Sequence, residues 1–199
     1  YDRLLALWTR EATWRAKLLE ALAPKPGERI LDVGSGTGSF AILIKQKEPH
    51  AIVMGLDPDP EARRIAAAKA AEAEVEVAWQ SGFARDAANF GKFDKVVSSL
   101  VFHQVPIEEK RAGLEAMFNA TKPAGRVLVA DYAEQRSWLM RQAFKIVQSA
   151  DGRTNTQPNS NGFLERELTR LCGAPLTAAW ALDTPTGTIS LFSVTKTSR

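Results

Sequence analysis

The chain of 199 residues has a single cysteine, Cys172. An internal disulfide is therefore excluded, and a reducing, cytoplasmic setting is expected. There are only two histidines, His50 and His103. No cluster of His, Cys and carboxylates has metal-ligand spacing, so no metal is expected. No apolar run approaches the ~20 residues that span a bilayer, and no leader pattern opens at Tyr1. No membrane insertion is expected. The net formal charge is only +3, and acidic and basic residues interleave. A basic stripe of the kind that tracks nucleic acid is missing, so no nucleic-acid partner is expected. Internal repeats and inter-domain linkers are missing too. What is present, 45% hydrophobic and 25% charged residues, suits one globular domain with a full core.

One stretch organises the rest: Ile30-Leu31-Asp32-Val33-Gly34-Ser35-Gly36-Thr37-Gly38-Ser39-Phe40. Ile30, Leu31 and Val33 read as a strand covered on both faces. The three glycines give a tight turn that lets a ligand approach the main chain. Ser39 opens a helix whose first N–H groups have no partner of their own and face the turn. Asp32, just before the turn, calls for a partner with a positive group. The spacing separates two ligand classes. A pyrophosphate cradle is written G-x-G-x-x-G; here it is G-x-G-x-G, with an acid two positions ahead of the first glycine.

Strand and helix patterns then alternate. Residues 3–22 carry Leu4, Leu7, Trp8, Trp14, Leu18 and Leu22 at helical spacing, with Glu11 and Arg15 placed to pair. This is either a packed helix or a lid over a pocket, with Tyr1 near the ligand. A second strand, residues 51–56, ends at Asp57-Pro58, and Asp57 lies 23 residues after Gly34. A carboxylate at that strand end can accept both hydroxyls of a ribose; its alternative is a helix N-cap. A helix over 61–72 follows, then a short strand over 75–79 ending in Gln80-Ser81-Gly82-Phe83. A fourth strand over 93–98 runs into Ser99-Leu100-Val101-Phe102-His103-Gln104. A helix over 106–121 and a fifth strand over 127–130 come next, the latter ending in Asp131-Tyr132. Trp138 to Val147 reads as a helix. The polar stretch from Asp151 to Gly162 reads as a mobile surface loop or part of a cap. A helix over 164–172 and strands over 176–182 and 188–195 close the chain, with Thr186-Gly187 turning between them. Alternation of this kind predicts a parallel sheet covered by helices on both faces.

The loop and its acid resemble motif I of the class I S-adenosylmethionine-dependent methyltransferases. The run Phe93-Asp94-Lys95-Val96-Val97-Ser98-Ser99-Leu100-Val101-Phe102-His103 resembles the segment after strand four in the ubiquinone/menaquinone biosynthesis C-methyltransferase-like (type 11) group. The Lys122-Pro123-Ala124-Gly125-Arg126 turn is similar to that group's K-P-G-G-R. The resemblance covers residues 25–132 well and the ends more loosely.

It implies an α/β, Rossmann-like, seven-stranded and mostly parallel sheet of order 3-2-1-4-5-7-6 with strand 7 antiparallel. One domain spans 1–199: a helix or lid (1–23), a cofactor-binding core (24–131), a substrate cap (132–162), then a helix and terminal hairpin (163–199). The implied cofactor is S-adenosylmethionine, leaving as S-adenosylhomocysteine. Asp32 would reach its amino group, over a loop of Gly34, Ser35, Gly36, Thr37 and Gly38. Asp57 and Pro58, Gly82 and Phe83, Ser98 and Tyr1 complete the expected cofactor site. The family's usual adenine-binding Asp is replaced by Gly82, leaving the Phe83 N–H and ring to meet the base; core packing is the alternative for that ring. His103 is the candidate catalytic base, or else a histidine that packs on the cofactor or caps a helix. Asp131, Tyr132 and Trp138 are candidate substrate contacts. No Asn/Asp-Pro-Pro-aromatic run follows strand four and no Pro-Cys nucleophile is present, which argues against base-modifying enzymes and for a small-molecule acceptor. Two rival functions stay open: a non-catalytic binding protein on the same fold, and an NAD-dependent oxidoreductase, which the glycine spacing and the lack of Tyr-x-x-x-Lys disfavour.

Overall fold

The structure is a computed structural model that describes residues 11–197. Residues 3–10 of the expected 3–22 helix, and Tyr1 as a ligand contact, lie outside the described residues. The elements are α1 (Glu11–Leu22), β1 (Arg29–Val33), α2 (Ser39–Lys47), β2 (Ile52–Asp57), α3 (Pro60–Glu72) and β3 (Ala78–Ser81). A 3-10 helix (Ala84–Phe90) then leads to β4 (Phe93–Ser99), α4 (Ile107–Ala120), β5 (Thr121–Tyr132), α5 (Trp138–Asp151) and α6 (Arg153–Ser160). The chain closes with α7 (Phe163–Cys172), β6 (Trp180–Thr184) and β7 (Gly187–Thr195).

The strands form one sheet of order β3-β2-β1-β4-β5-β7-β6. β7 runs antiparallel to both its neighbours, while β1 through β5 pair in parallel. This is the seven-stranded order that the sequence implied. Alternate residues of the central strands feed two separate cores. Leu31, Val33, Val96, Val127, Val129, Phe192 and Val194 face one side, with Leu114 and Met117 of α4 and Leu164 and Leu168 of α7. Ile30, Val97, Leu128, Ala130, Ile189 and Leu191 face the other, with Trp14 and Leu18 of α1, Phe40 and Ile44 of α2, and Phe144 and Val147 of α5. Burial on both faces is why these strands read as continuous apolar runs.

Four readings differ from the structure, the first being the fifth strand, which begins at Thr121 rather than Val127 and takes in the expected 122–126 turn. The third strand begins at Ala78 rather than Val75. Glu74 takes φ +53, and the Val75 N–H closes the end of α3 on the Ala70 carbonyl, so Val75 belongs to the helix exit. The sixth strand is Trp180–Thr184, shifted toward the hairpin. The polar stretch after Asp151 is not a loop: Arg153–Ser160 is helical, with Thr156, Asn159 and Ser160 buried. Asn159 donates to the Tyr132 carbonyl at 2.8 Å, so a polar side chain does the anchoring here.

Candidate active site

The parallel strands end along one edge, and a cavity of about 970 Å³ opens there. Its floor comes from the ends of β1, β2, β4 and β5, with α1 (Glu11, Trp14, Arg15) and α5 (Ile146, Val147, Ala150, Asp151) on its sides. The crevice at the strand ends is where open α/β sheets bind ligands.

The first half of the cavity surrounds the glycine loop. Asp32 lies next to the end of β1 at 1% exposure, and neither of its carboxylate oxygens has a hydrogen-bond partner. The Ala41 N–H points toward it without reaching hydrogen-bond geometry. Burial pushes the Asp32 pKa up to about 7; Arg15 opposes that shift and Asp57 adds to it. A buried carboxylate without a donor is costly unless a ligand supplies one. Arg15 pairs with Glu11 one turn earlier, yet its buried Nε has no partner.

Gly34 takes φ +70, and an added Cβ there would lie 2.2 Å from the Val101 side chain. Gly36 takes φ +52 with nothing within 4 Å of an added Cβ, so a side chain would project into open space beside the loop. Its N–H donates to Asp57 Oδ2 at 2.8 Å, and the Asp59 N–H donates to Oδ1 at 3.0 Å. These bonds fix the Asp57 carboxylate at the cavity edge, with lone pairs left for a further donor on each oxygen. A ligand with an ammonium group for Asp32 and vicinal hydroxyls for Asp57 fits this donor and acceptor set, as the cofactor of the resembled family requires.

Of the expected cofactor residues that are described, only Gly38 and Ser98 lie outside the cavity lining. Ser35, Thr37, Pro58, Gly82 and Phe83 line the cavity. Gly38 lies behind the loop, against Trp79 and Ala66. Ser98 is fully buried in the sheet, and the next residue, Ser99, lines the cavity instead. The alternation along β4 puts neighbouring side chains on opposite faces. Phe83 is 49% exposed, so it is not a core residue. Its N–H already donates to Asp86 at 2.9 Å and is not free for a base. Its ring is stacked under the Arg85 guanidinium at 4.5 Å, and Arg85 is held by Glu109.

The second half is built on β5 and the turn after β4. Asp131 is fully buried and accepts four hydrogen bonds: from the N–H groups of Val101, Phe102 and Tyr132, and from His103 Nδ1 at 2.7 Å. It therefore holds the turn and lies outside the cavity lining, where the sequence had placed it as a substrate contact. Leu100 in that turn takes φ +55, uncommon for a bulky residue, and donates to the Ala130 carbonyl. Lys110, fully buried on α4, donates to the Phe102 carbonyl; burial lowers its pKa to about 8.

His103 lines the cavity, and its Nε2 lies 3.3 Å from Asp151 at the end of α5. Burial disfavours its charged form, but Asp131 and then Asp151 outweigh this and raise its pKa to about 9. At neutral pH the ring holds two protons and cannot take a third. In this arrangement the two ring nitrogens face Asp131 and Asp151. Tyr132 also lines the cavity, edge-on to His103 at 5.0 Å and bonded to Thr186 at 2.6 Å. Burial pushes its pKa up to about 12, so it is a neutral partner. Trp138 is 74% exposed and outside the lining. It opens α5 almost opposite Val147 around the helix, so the later turns of α5 face the cavity instead. Arg15, Asp151 and Thr186 were not expected in the site. Asp151 in particular began a polar stretch with no apolar period to orient it. Among the described residues, no cluster of His, Cys, Asp and Glu could hold a metal, and no helix is long and apolar enough to cross a membrane.

Residues 30–125 match the methyltransferase-domain family. A demethylmenaquinone methyltransferase of Deinococcus radiodurans is 30% identical over 146 residues, covering 73% of this chain and 59% of that protein. Its counterpart in Thermus thermophilus is 32% identical over 133 residues, 66% of this chain and 59% of that protein. The chain thus spans under two thirds of the length of these curated relatives. Among solved structures, an N-methyltransferase of Bradyrhizobium japonicum in complex with S-adenosylhomocysteine aligns at TM-score 0.69 and 16% identity, covering 94% of this chain and 88% of that one. Magnesium protoporphyrin IX methyltransferase of Synechocystis, with S-adenosylmethionine bound, aligns at 0.64 and 19%, covering 94% and 77%. At such identities the likeness is one of fold.

Proposed function

From the premise that this chain belongs to the class I S-adenosylmethionine-dependent methyltransferases, we propose that it methylates a small-molecule acceptor in the cavity at the strand ends. The observation that carries this reading is Asp32, a buried carboxylate with both oxygens unpaired, beside the glycine loop. S-adenosylmethionine supplies an electrophilic methyl on a sulfonium, together with an ammonium group and a ribose. Asp32 would hold the ammonium, and Asp57, fixed by Gly36 and Asp59, would take the ribose hydroxyls. Gly82 and Phe83 line the adenosine end, where Arg85 and the Phe83 ring offer a stacked surface in place of a carboxylate. Such a site works by holding the acceptor in line with the methyl group, so positioning supplies much of the rate.

The acceptor half favours a small molecule. It is bounded by Val105, Ile146, Val147 and Ala150, with polar side chains at His103, Gln104, Tyr132, Asp151 and Thr186. A few convergent polar groups on an apolar wall are typical of small-molecule sites. The single free Cys172 fits a reducing, cytoplasmic setting. Calorimetric titration with S-adenosylmethionine, S-adenosylhomocysteine and NADH tests the reading. Both adenosyl ligands should bind and NADH should not. Binding of NADH alone would overturn it.

A further inference from the structure

His103 is held by two carboxylates of opposite character. Asp131 is saturated: its four donors come from three backbone groups and from His103 itself, and it is fully buried. It fixes Nδ1 as a donor and cannot leave without dismantling the turn after β4. Asp151 is the reverse. Its side chain is 28% exposed, and its one ionic or hydrogen-bond partner among the described residues is His103 Nε2. Their separation of 3.3 Å exceeds the ~2.8 Å of a well-formed charge-assisted bond. Asp151 is the last residue of α5, and Gly152 beside it takes φ +83 with open space around it.

Both His103 and Asp151 line the cavity, and Asp131 does not. The remaining groups around the imidazole are the Tyr132 ring edge from β5 and Lys110 from α4, behind the Phe102 carbonyl. Among the described residues, no other carboxylate pairs with Nε2. We propose that Asp151 is a resident stand-in for the acceptor: it occupies His103 Nε2 until an acceptor bearing an anionic oxygen takes its place, which makes oxyanions such as phenolates, enolates and carboxylates the substrate class.

The proposal rests on the reading of this cavity as the acceptor site of a methyltransferase. Exchange of one anion for another leaves the charge balance of the Asp131–His103 pair unchanged. A neutral acceptor could accept the Nε2 proton but would not replace the charge that Asp151 supplies, and a cationic one would be repelled by the imidazolium; both are costly in a buried site. His103 is then a binding residue for the acceptor oxygen, and Asp151 a competing internal ligand that sets the acceptor's affinity.

The test is binding of 4-nitrophenolate, whose absorbance distinguishes the anion from the phenol, with 4-nitrobenzylamine as a cationic probe of similar size. The proteins are wild type, Asp151→Ala and His103→Gln. The pH is one at which the phenol is ionised and His103, with its pKa of about 9, is still charged. Each titration is run with and without S-adenosylhomocysteine. Asp151→Ala should bind the phenolate at least ~5-fold more tightly than wild type, the order expected for removing a part-exposed competing ion pair. His103→Gln should lose the phenolate. The ring ¹⁵N shifts of His103 in wild type should stay those of an imidazolium when the phenolate binds, a readout that needs no variant to fold. Equal or weaker phenolate binding by Asp151→Ala, preference for the amine, or no phenolate binding in any protein would overturn the proposal. S-adenosylhomocysteine affinity should be the same in wild type and Asp151→Ala. Its absence from all three would instead overturn the methyltransferase reading.

Discussion

Asp32 trades stability for ligand binding. Its carboxyl has a pKa of about 7 against a usual 3.8, mainly because it is buried without a donor. The folded chain thus binds this proton more tightly than the unfolded chain. The stabilisation is complete below the usual carboxylate range and is lost as pH rises through about 7. Above that, the folded protein holds an uncompensated charge, a cost on the order of 4 kcal/mol. Asp32→Asn should therefore raise the melting temperature of the ligand-free protein at pH ~8, leave it nearly unchanged near pH 4, and abolish S-adenosylhomocysteine binding. A melting temperature that drops at the alkaline pH would mean Asp32 has a donor after all. His103 has the same sign for a different reason. Its folded pKa of about 9 exceeds the usual 6.5 because the two carboxylates outweigh burial. Its contribution is complete below pH 6.5 and fades as pH rises through about 9. His103→Gln should accordingly destabilise more in denaturant melts near pH 6 than near pH 10; an equal loss at both would show that the ring contributes by packing alone.

At the scale of elements, the glycine loop is positioned by what lies behind it. Gly34 donates to the Leu56 carbonyl at 2.8 Å, tying the end of β1 to β2, and faces Val101 across the gap. Gly34→Ala meets two penalties: φ +70 and a methyl 2.2 Å from Val101 Cγ2. Together these should cost about 2 kcal/mol or more in urea melts. Adding Val101→Ala relieves the clash but not the backbone strain, so the double variant should recover part of the loss. Full additivity of the two losses would refute the contact. This strand–loop–helix unit was legible in the sequence because its signals agree: apolar run, glycines, acid, helix start. The same agreement made β4, α4 and β7 legible. Helix α6 was not, since Arg153–Ser160 contains no apolar period. Its buried positions, Thr156 and Asn159, are fixed by hydrogen bonds to Gly152 and Tyr132, which no hydropathy pattern announces. The third strand slipped because Val75 and Val77 look like strand, while Glu74 in its left-handed conformation keeps the chain turning out of α3. For the site, Asp32, Asp57 and His103 came from motif spacing. Arg15 and Asp151 reach the cavity only through the packing of α1 and α5 on the sheet, which a single sequence does not specify.

At the scale of the whole molecule, the cavity lies where both cores meet the edge of the sheet. Leu31 and Val33 on one side of β1, and Ile30 on the other, clamp the strand that carries Asp32. Helices α1 and α5, packed on a single face, contribute Trp14, Arg15, Val147 and Asp151 to the cavity. A ligand seated there touches β1, β2, β4, α1 and α5 together, so its binding energy adds to global stability rather than to one local unit. S-adenosylhomocysteine at ~100 times its dissociation constant should stabilise the fold by about 2.7 kcal/mol. For a chain of this size that is a rise of roughly 5–10 °C in the melting temperature, given a shift of about 2–4 °C per kcal/mol. The rise at a fixed ligand concentration should grow between pH ~5.5 and pH ~8, because the ligand ammonium neutralises an Asp32 charge that exists only above about 7. Titration of the ligand's own amino group sets the upper limit of that window. Asp57→Ala should reduce the rise at both pH values equally, since its role is toward neutral hydroxyls. A pH-independent rise in wild type would separate the ammonium from Asp32 and reassign that carboxylate to the fold alone.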